Sequence, residues 1–87
     1  MDSGKTRLLY TREFSDITRK IKDSKLQERI EKIIKRIMEN PYIGKPLRYD
    51  MKGLRSVRIH PFRLLYKIEN GTILLVTFEH RKNVYKH

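Results

Sequence analysis

Cysteine and tryptophan are absent from this chain, and glycine and proline are scarce, at 4 and 3 of 87 residues. Without cysteine there is neither a disulfide frame nor a thiolate zinc site. No run of about 18 apolar residues occurs, so no membrane association is expected, and Met1 to Tyr10 lacks the apolar core of a secretory signal. His60, His80 and His87 form no helical i, i+4 ligand pair and have few carboxylates near them in sequence, so neither a metal nor a cofactor is expected. Acidic residues are few as well, 10 against 21 Lys/Arg, for a net charge of +11. The excess is uneven: 11 Lys/Arg face 7 Asp/Glu before residue 45, and 10 face 3 from there on. A cytoplasmic protein with a polyanionic partner is the expectation. The length fits one domain, residues 1–87, which buries only roughly 60 to 65% of the surface its unfolded chain exposes.

What is present divides into a helical half and a strand half. Leu8 and Tyr10 suggest a short strand, after which Thr11 offers an N-cap and Glu13 complements the helix dipole. Phe14, Ile17, Thr18 and Ile21 recur at i, i+3, i+4 and i+7, the stripe of a helix of about three turns that Asp23-Ser24 breaks. From Lys25 a second helix follows, with Leu26, Ile30, Ile33, Ile34, Ile37 and Met38 on one face. Glu28 with Lys32 and Glu31 with Lys35 mark its other face as solvated. Asn40-Pro41 ends this helix, because the residue before proline is pushed out of the α region. Tyr42 to Gly53 reads as a connection. Beyond it the period becomes 2, with strands over Ser56 to Ile59, Phe62 to Glu69 and Thr72 to Glu79.

Turn chemistry then sets a register. Asn70-Gly71 suits a two-residue type I′ turn, which needs positive φ at both positions, so Glu69 should face Thr72, Leu65 face Val76 and Arg63 face Phe78. A two-residue His60-Pro61 loop would set Ile59 against Phe62 and Arg58 against Arg63. Proline cannot take positive φ, so that loop calls for a cis Pro61 or a greater length, and a slip of one residue would move Arg58 to the other face. On this register Arg58, Arg63 and His80 share one face with Ser56, Leu65, Val76 and Phe78. Val57, Ile59, Phe62, Leu64, Tyr66, Ile68, Ile73 and Leu75 form the richer apolar face that should receive the helices. Like charges directly opposite are unfavourable, so Arg58 and Arg63 need an anion between them, a splay into water, or an acid such as Asp50 or Glu79.

Arginine, histidine and tyrosine together suit RNA cleavage by the neighbouring 2′-hydroxyl. Arginine is always protonated and serves only to stabilise charge on phosphorus, whereas histidine can move a proton. His80, expected on the arginine face, is the stronger candidate, and His60, in a turn, the weaker. Tyr85 could stack on a base, donate a proton, or simply anchor the C-terminus.

Three segments carry a likeness to a known family: Gly53-Leu54-Arg55-Ser56-Val57-Arg58-Ile59, Phe62-Arg63-Leu64-Leu65-Tyr66 and His80-Arg81-Lys82-Asn83-Val84-Tyr85. In order and spacing they resemble the RelE/ParE superfamily of type II toxin-antitoxin toxins. The resemblance implies an α+β fold, β-α-α-β-β-β, with a two-helix hairpin packed on an antiparallel sheet that ends in a meander. For the RelE branch it implies a metal-independent endoribonuclease that enters the ribosomal A site and cuts mRNA. The implied partner is a cognate antitoxin, whose acidic amphipathic segment wraps the toxin and through which alone the complex reaches operator DNA. Carried over by position, the catalytic set is Arg58, Arg63, His80, Arg81 and Tyr85. Around it, Lys45, Arg48, Lys52, Arg55, His60, Lys82 and Lys86 are the expected RNA-binding residues. Where ribosome-dependent relatives often carry lysines this chain has Ser56 and Arg58, which leaves base and acid open among His60, His80 and Tyr85. Two other functions fit the same residues, a ParE-like inhibitor of DNA gyrase and a non-catalytic RNA-binding module.

Overall fold

The computed structural model describes residues 6–80. The chain runs β1 (Arg7–Tyr10), α1 (Arg12–Arg19), α2 (Ser24–Glu39), β2 (Lys45–Pro46), β3 (Arg55–Ile59), β4 (Phe62–Glu69) and β5 (Thr72–His80), with short 3-10 turns at Pro41–Ile43 and Tyr49–Met51. Five strands form one sheet in the order β1-β5-β4-β3-β2. Every pairing is antiparallel except β1 with β5, a parallel edge the sequence reading did not contain.

Local chemistry explains the helices. The Thr11 hydroxyl accepts from Phe14 N at 3.0 Å and donates to Val76 O at 2.6 Å, so the α1 cap also ties the helix to β5. α1 is shorter than its apolar stripe, because Lys20 closes it before Ile21. Asp23, expected only as a breaker, caps α2 by accepting from Lys25 N and Leu26 N. Phe14, Ile30 and Ile37 pack from the helices against Ile59, Leu64, Tyr66, Ile73, Leu75 and Phe78 of the sheet. Glu28, Glu31, Lys32 and Lys35 are exposed, as a solvated face requires. No helix among the described residues is long and apolar enough to cross a membrane.

The connection from 40 to 54 is more organised than its composition suggests. β2 pairs with the start of β3, and Leu47 N donates to Leu54 O at 2.9 Å, so residues 45–59 make a hairpin with its tip at 48–53. Tyr66 holds the other end: its hydroxyl donates to Pro41 O at 2.6 Å and accepts from Gly44 N at 2.9 Å. Only glycine fits at 44, since a Cβ there would stand 2.5 Å from the Tyr66 hydroxyl oxygen.

The expected register holds from β3 into β4 and fails inside β5. Ile59 pairs with Phe62 and Arg58 with Arg63 across a two-residue loop whose His60-Pro61 peptide is cis. Asn70 and Gly71 both take positive φ, 49° and 78°, as a type I′ turn demands. Glu69 faces Thr72, but a β-bulge leaves Val76 without a partner, so Leu65 pairs with Thr77, Arg63 with Glu79 and Phe62 with His80. One extra residue reverses every side chain beyond it. Phe78 therefore joins the core, stacked on Phe62 at 4.8 Å, and His80 follows it to that face.

Candidate active site and nucleic-acid interface

The face of the sheet opposite the helices carries the candidate site. Pleating puts Ser56 and Arg58 of β3 on it, with Arg63 of β4 directly across from Arg58. β2 adds Lys45 across from Ser56, and the hairpin tip adds Arg48. Together Lys45, Arg48, Ser56, Arg58 and Arg63 line an open cleft of about 1040 Å³, with Leu47 as part of its wall. Four cations thus converge on one concavity, a geometry that raises the local concentration of anions.

Electrostatic compensation within the row is partial. Arg63 sits between Arg58 on one strand and Glu79 on the other, and its guanidinium lies 3.8 Å from the Glu79 carboxylate. The acid anticipated as an alternative to a bound anion is therefore present at Arg63. Arg58 is exposed and has no carboxylate within 4.0 Å among the described residues. Arg63 Nε is buried with no hydrogen-bond partner among those residues. An unmet donor on a half-buried cation is costly to the fold, and such groups concentrate where a protein handles a ligand.

His80 is the principal correction. It was expected beside Arg58 and Arg63, but the bulge turns it to the core face, where its ring meets Phe62 edge-on at 5.1 Å. Arg55, expected to bind RNA, lies on the face of Val57 and Tyr66, where the alternation of β3 puts it, and donates to Gly44 O at 2.7 Å and Tyr42 O at 3.4 Å, its guanidinium 5.0 Å from the centre of the Tyr42 ring. Its charge also helps hold down the Tyr66 hydroxyl pKa, which burial nonetheless raises above the ordinary value. His60 is exposed in the β3–β4 loop, and its carbonyl accepts from Arg29 at 3.1 Å. Lys52 is exposed at the hairpin tip. Arg81, Lys82, Tyr85 and Lys86 lie outside the described residues.

Two arginines on α2, Arg29 and Arg36, were overlooked, and Lys32 was read only as part of a solvated face. Arg29, Lys32 and Arg36 flank a smaller recess of about 260 Å³ floored by Ile33 and Ile59, and Arg58 borders both this recess and the main cleft. Their spacing of three and four places them on one helical face, a signal visible in the sequence but overshadowed by the Glu/Lys pairs beside them.

Comparison with known proteins identifies the family and the fold. The model of the ParE toxin of the type II toxin-antitoxin system parDE matches residues 8–85. Toxin RelG of Mycobacterium tuberculosis is 39% identical over 46 residues, 51% of this chain and 53% of that protein. Toxin RelE of the same organism is 40% identical over 43 residues, 48% and 44% of the two chains. The chain spans about half the length of the curated relatives it matches. Among solved structures, a chain of the toxin-antitoxin complex RelBE2 from M. tuberculosis superimposes with a TM-score of 0.75 at 26% identity, covering 88% of this chain and 99% of that one. The YoeB/ParE toxin from Agrobacterium tumefaciens shares the fold with a TM-score of 0.75 at 23% identity, covering 86% and 98%. A family match running through both helices, the whole sheet and the basic cleft makes this chain a member of the ParE toxin family, within the RelE/ParE superfamily of type II toxin-antitoxin toxins.

Proposed function

We propose that this protein is a toxin that acts as a metal-independent endoribonuclease on mRNA at the ribosomal A site. The observation that carries this reading is the Arg58–Arg63 pair in a cleft with Lys45 and Arg48. An RNA phosphate there would relieve the repulsion across β3 and β4, and Arg63 would stabilise the charge that builds on pentacoordinate phosphorus. Glu79 orients Arg63 from the neighbouring strand. Among the described residues, His60 in the loop after β3 and Glu79 on the strand beside Arg63 are able to move protons; Tyr85 of the last sequence motif would donate a proton or stack on a base, and Arg81 would contact phosphate. RNA contact would extend from the cleft to Lys52, Lys82 and Lys86. The site of action would be the cytoplasm.

The partner proposed is a cognate antitoxin with an acidic segment, supported by the relative solved as a toxin-antitoxin complex and by the net charge of +11. Neutralising that segment should weaken the complex and reduce its salt sensitivity. The family model, named for ParE, favours a second reading in which the same fold inhibits DNA gyrase.

Primer extension on mRNA from a translation extract containing the protein separates these readings. Cuts within translated codons are expected, reduced by about 100-fold or more in Arg63→Ala at unchanged fold. Intact mRNA with gyrase-linked DNA breaks would establish the second reading, and salt-sensitive RNA binding without any cleavage would leave a binding module.

A further inference from the structure

Tyr49 stands at the tip of the β2–β3 hairpin with φ of 61°, in the left-handed region. It is 88% exposed, ahead of Tyr42 at 67% and Tyr10 at 60%. Left-handed backbone suits glycine or asparagine and opposes a bulky aromatic residue. The turn itself is closed by main-chain bonds, Met51 N to Arg48 O at 3.1 Å and Lys52 N to Tyr49 O at 3.0 Å, which any side chain at 49 would permit. Among the described residues the ring stacks on no other aromatic group. With 88% of it exposed, this side chain contributes little to packing, and the backbone carries a strain that asparagine would relieve. Strain kept without a folding benefit is characteristic of ligand sites.

The surroundings indicate the ligand. Arg48, the preceding residue, lines the basic cleft with Lys45, Arg58 and Arg63, and Lys52 follows on the same tip. Proteins that bind single strands combine a basic groove that tracks the backbone with exposed aromatic rings on which bases stack, whatever the sequence. We infer that Tyr49 is a positioning residue that stacks on the base next to the phosphate held in the cleft, fixing the strand's register over Arg63. This inference rests on the RNA reading above.

Binding of a 2′-O-methyl RNA oligomer, which cannot be cleaved, tests it by fluorescence anisotropy. Tyr49→Asn should weaken binding about 5- to 100-fold with an unchanged slope against salt, while Tyr49→Phe stays within about twofold of the parent. Thermal unfolding of Tyr49→Asn should show an equal or higher Tm, because asparagine tolerates this backbone. An abasic site at the stacked position should weaken the parent and add nothing to Tyr49→Asn. Loss of affinity in Arg63→Ala with none in Tyr49→Asn would overturn the inference and spare the RNA reading. Absence of any binding that depends on Arg63 would overturn the inference as well, while the cuts in the translation extract decide the RNA reading separately. A lowered Tm in both Tyr49 variants would make the residue structural, and loss of antitoxin binding alone would make it a protein contact; either result overturns the inference.

Discussion

Tyr66 is the residue on which the β2 side of the sheet depends. Its ring is buried between β3 and the 40–46 segment, and its hydroxyl serves one donor and one acceptor that have no other role in the sheet. Tyr66→Phe should cost about 1 to 3 kcal/mol in urea unfolding, the cost of leaving both main-chain groups unpaired. Burial, opposed by the Gly44 N–H and by Arg55, raises the hydroxyl pKa. A folded pKa above the unfolded value of about 10 means that this stability is complete below about pH 10 and is lost as the pH climbs from there through the folded value. That alkaline loss should be smaller in the phenylalanine variant, as measured by Tm against pH. Arg55 belongs to the same cluster. Because its guanidinium is engaged by the Gly44 and Tyr42 carbonyls, Arg55→Ala should lower stability by about 1 to 3 kcal/mol while RNA affinity changes far less than in Arg63→Ala.

At the scale of elements, the junction between α1 and β5 decides which residues reach the cleft. The Val76 bulge bends β5 where Thr11 reaches its carbonyl, and Thr77 just beyond donates to Glu13 at 2.7 Å. α1 is in this way fastened to the point where β5 is irregular. Thr11→Val removes both the cap and the bond to Val76 and should cost about 1 to 2 kcal/mol, read by chemical denaturation, whereas Thr11→Ser should retain most of the stability. The bulge also explains why the alternation from Thr72 misleads. Ile73, Leu74, Leu75 and Val76 are all apolar, so hydrophobicity carries no period across the point where the register shifts. By contrast the pairing of Glu69 with Thr72 was legible, because Asn70-Gly71 fixes its loop length by backbone chemistry, whereas His60-Pro61 left the pairing of Ile59 with Phe62 open.

For the whole molecule, charge is the organising quantity. The net of +11 is focused at the cleft by Lys45, Arg48, Arg58 and Arg63, and continues past Arg58 to Arg29, Lys32 and Arg36 on α2. Four phosphate contacts on a single strand imply a log–log slope of affinity against salt of about −3, and removing one cation should reduce its magnitude by about 0.7. Titration of Lys45→Ala against a single-stranded RNA at several salt concentrations reads this directly. An unchanged slope would place Lys45 outside the contact surface. If the α2 cations also touch the strand, the parent slope should steepen towards about −5.

Composition and local pattern were sufficient for the helical half, the Asn70-Gly71 turn and the meander, since each follows from side-chain period or from the φ that a residue permits, while the pairing of Arg58 with Arg63 waited on the length of the His60-Pro61 loop. Tertiary structure alone decided the position of His80, the commitment of Arg55 and the left-handed tip at Tyr49. Each of these depends on something no local window contains: an unpaired residue inside a uniformly apolar strand, carbonyls brought back by a turn 11 and 13 residues earlier, and a hairpin closed between Leu47 and Leu54.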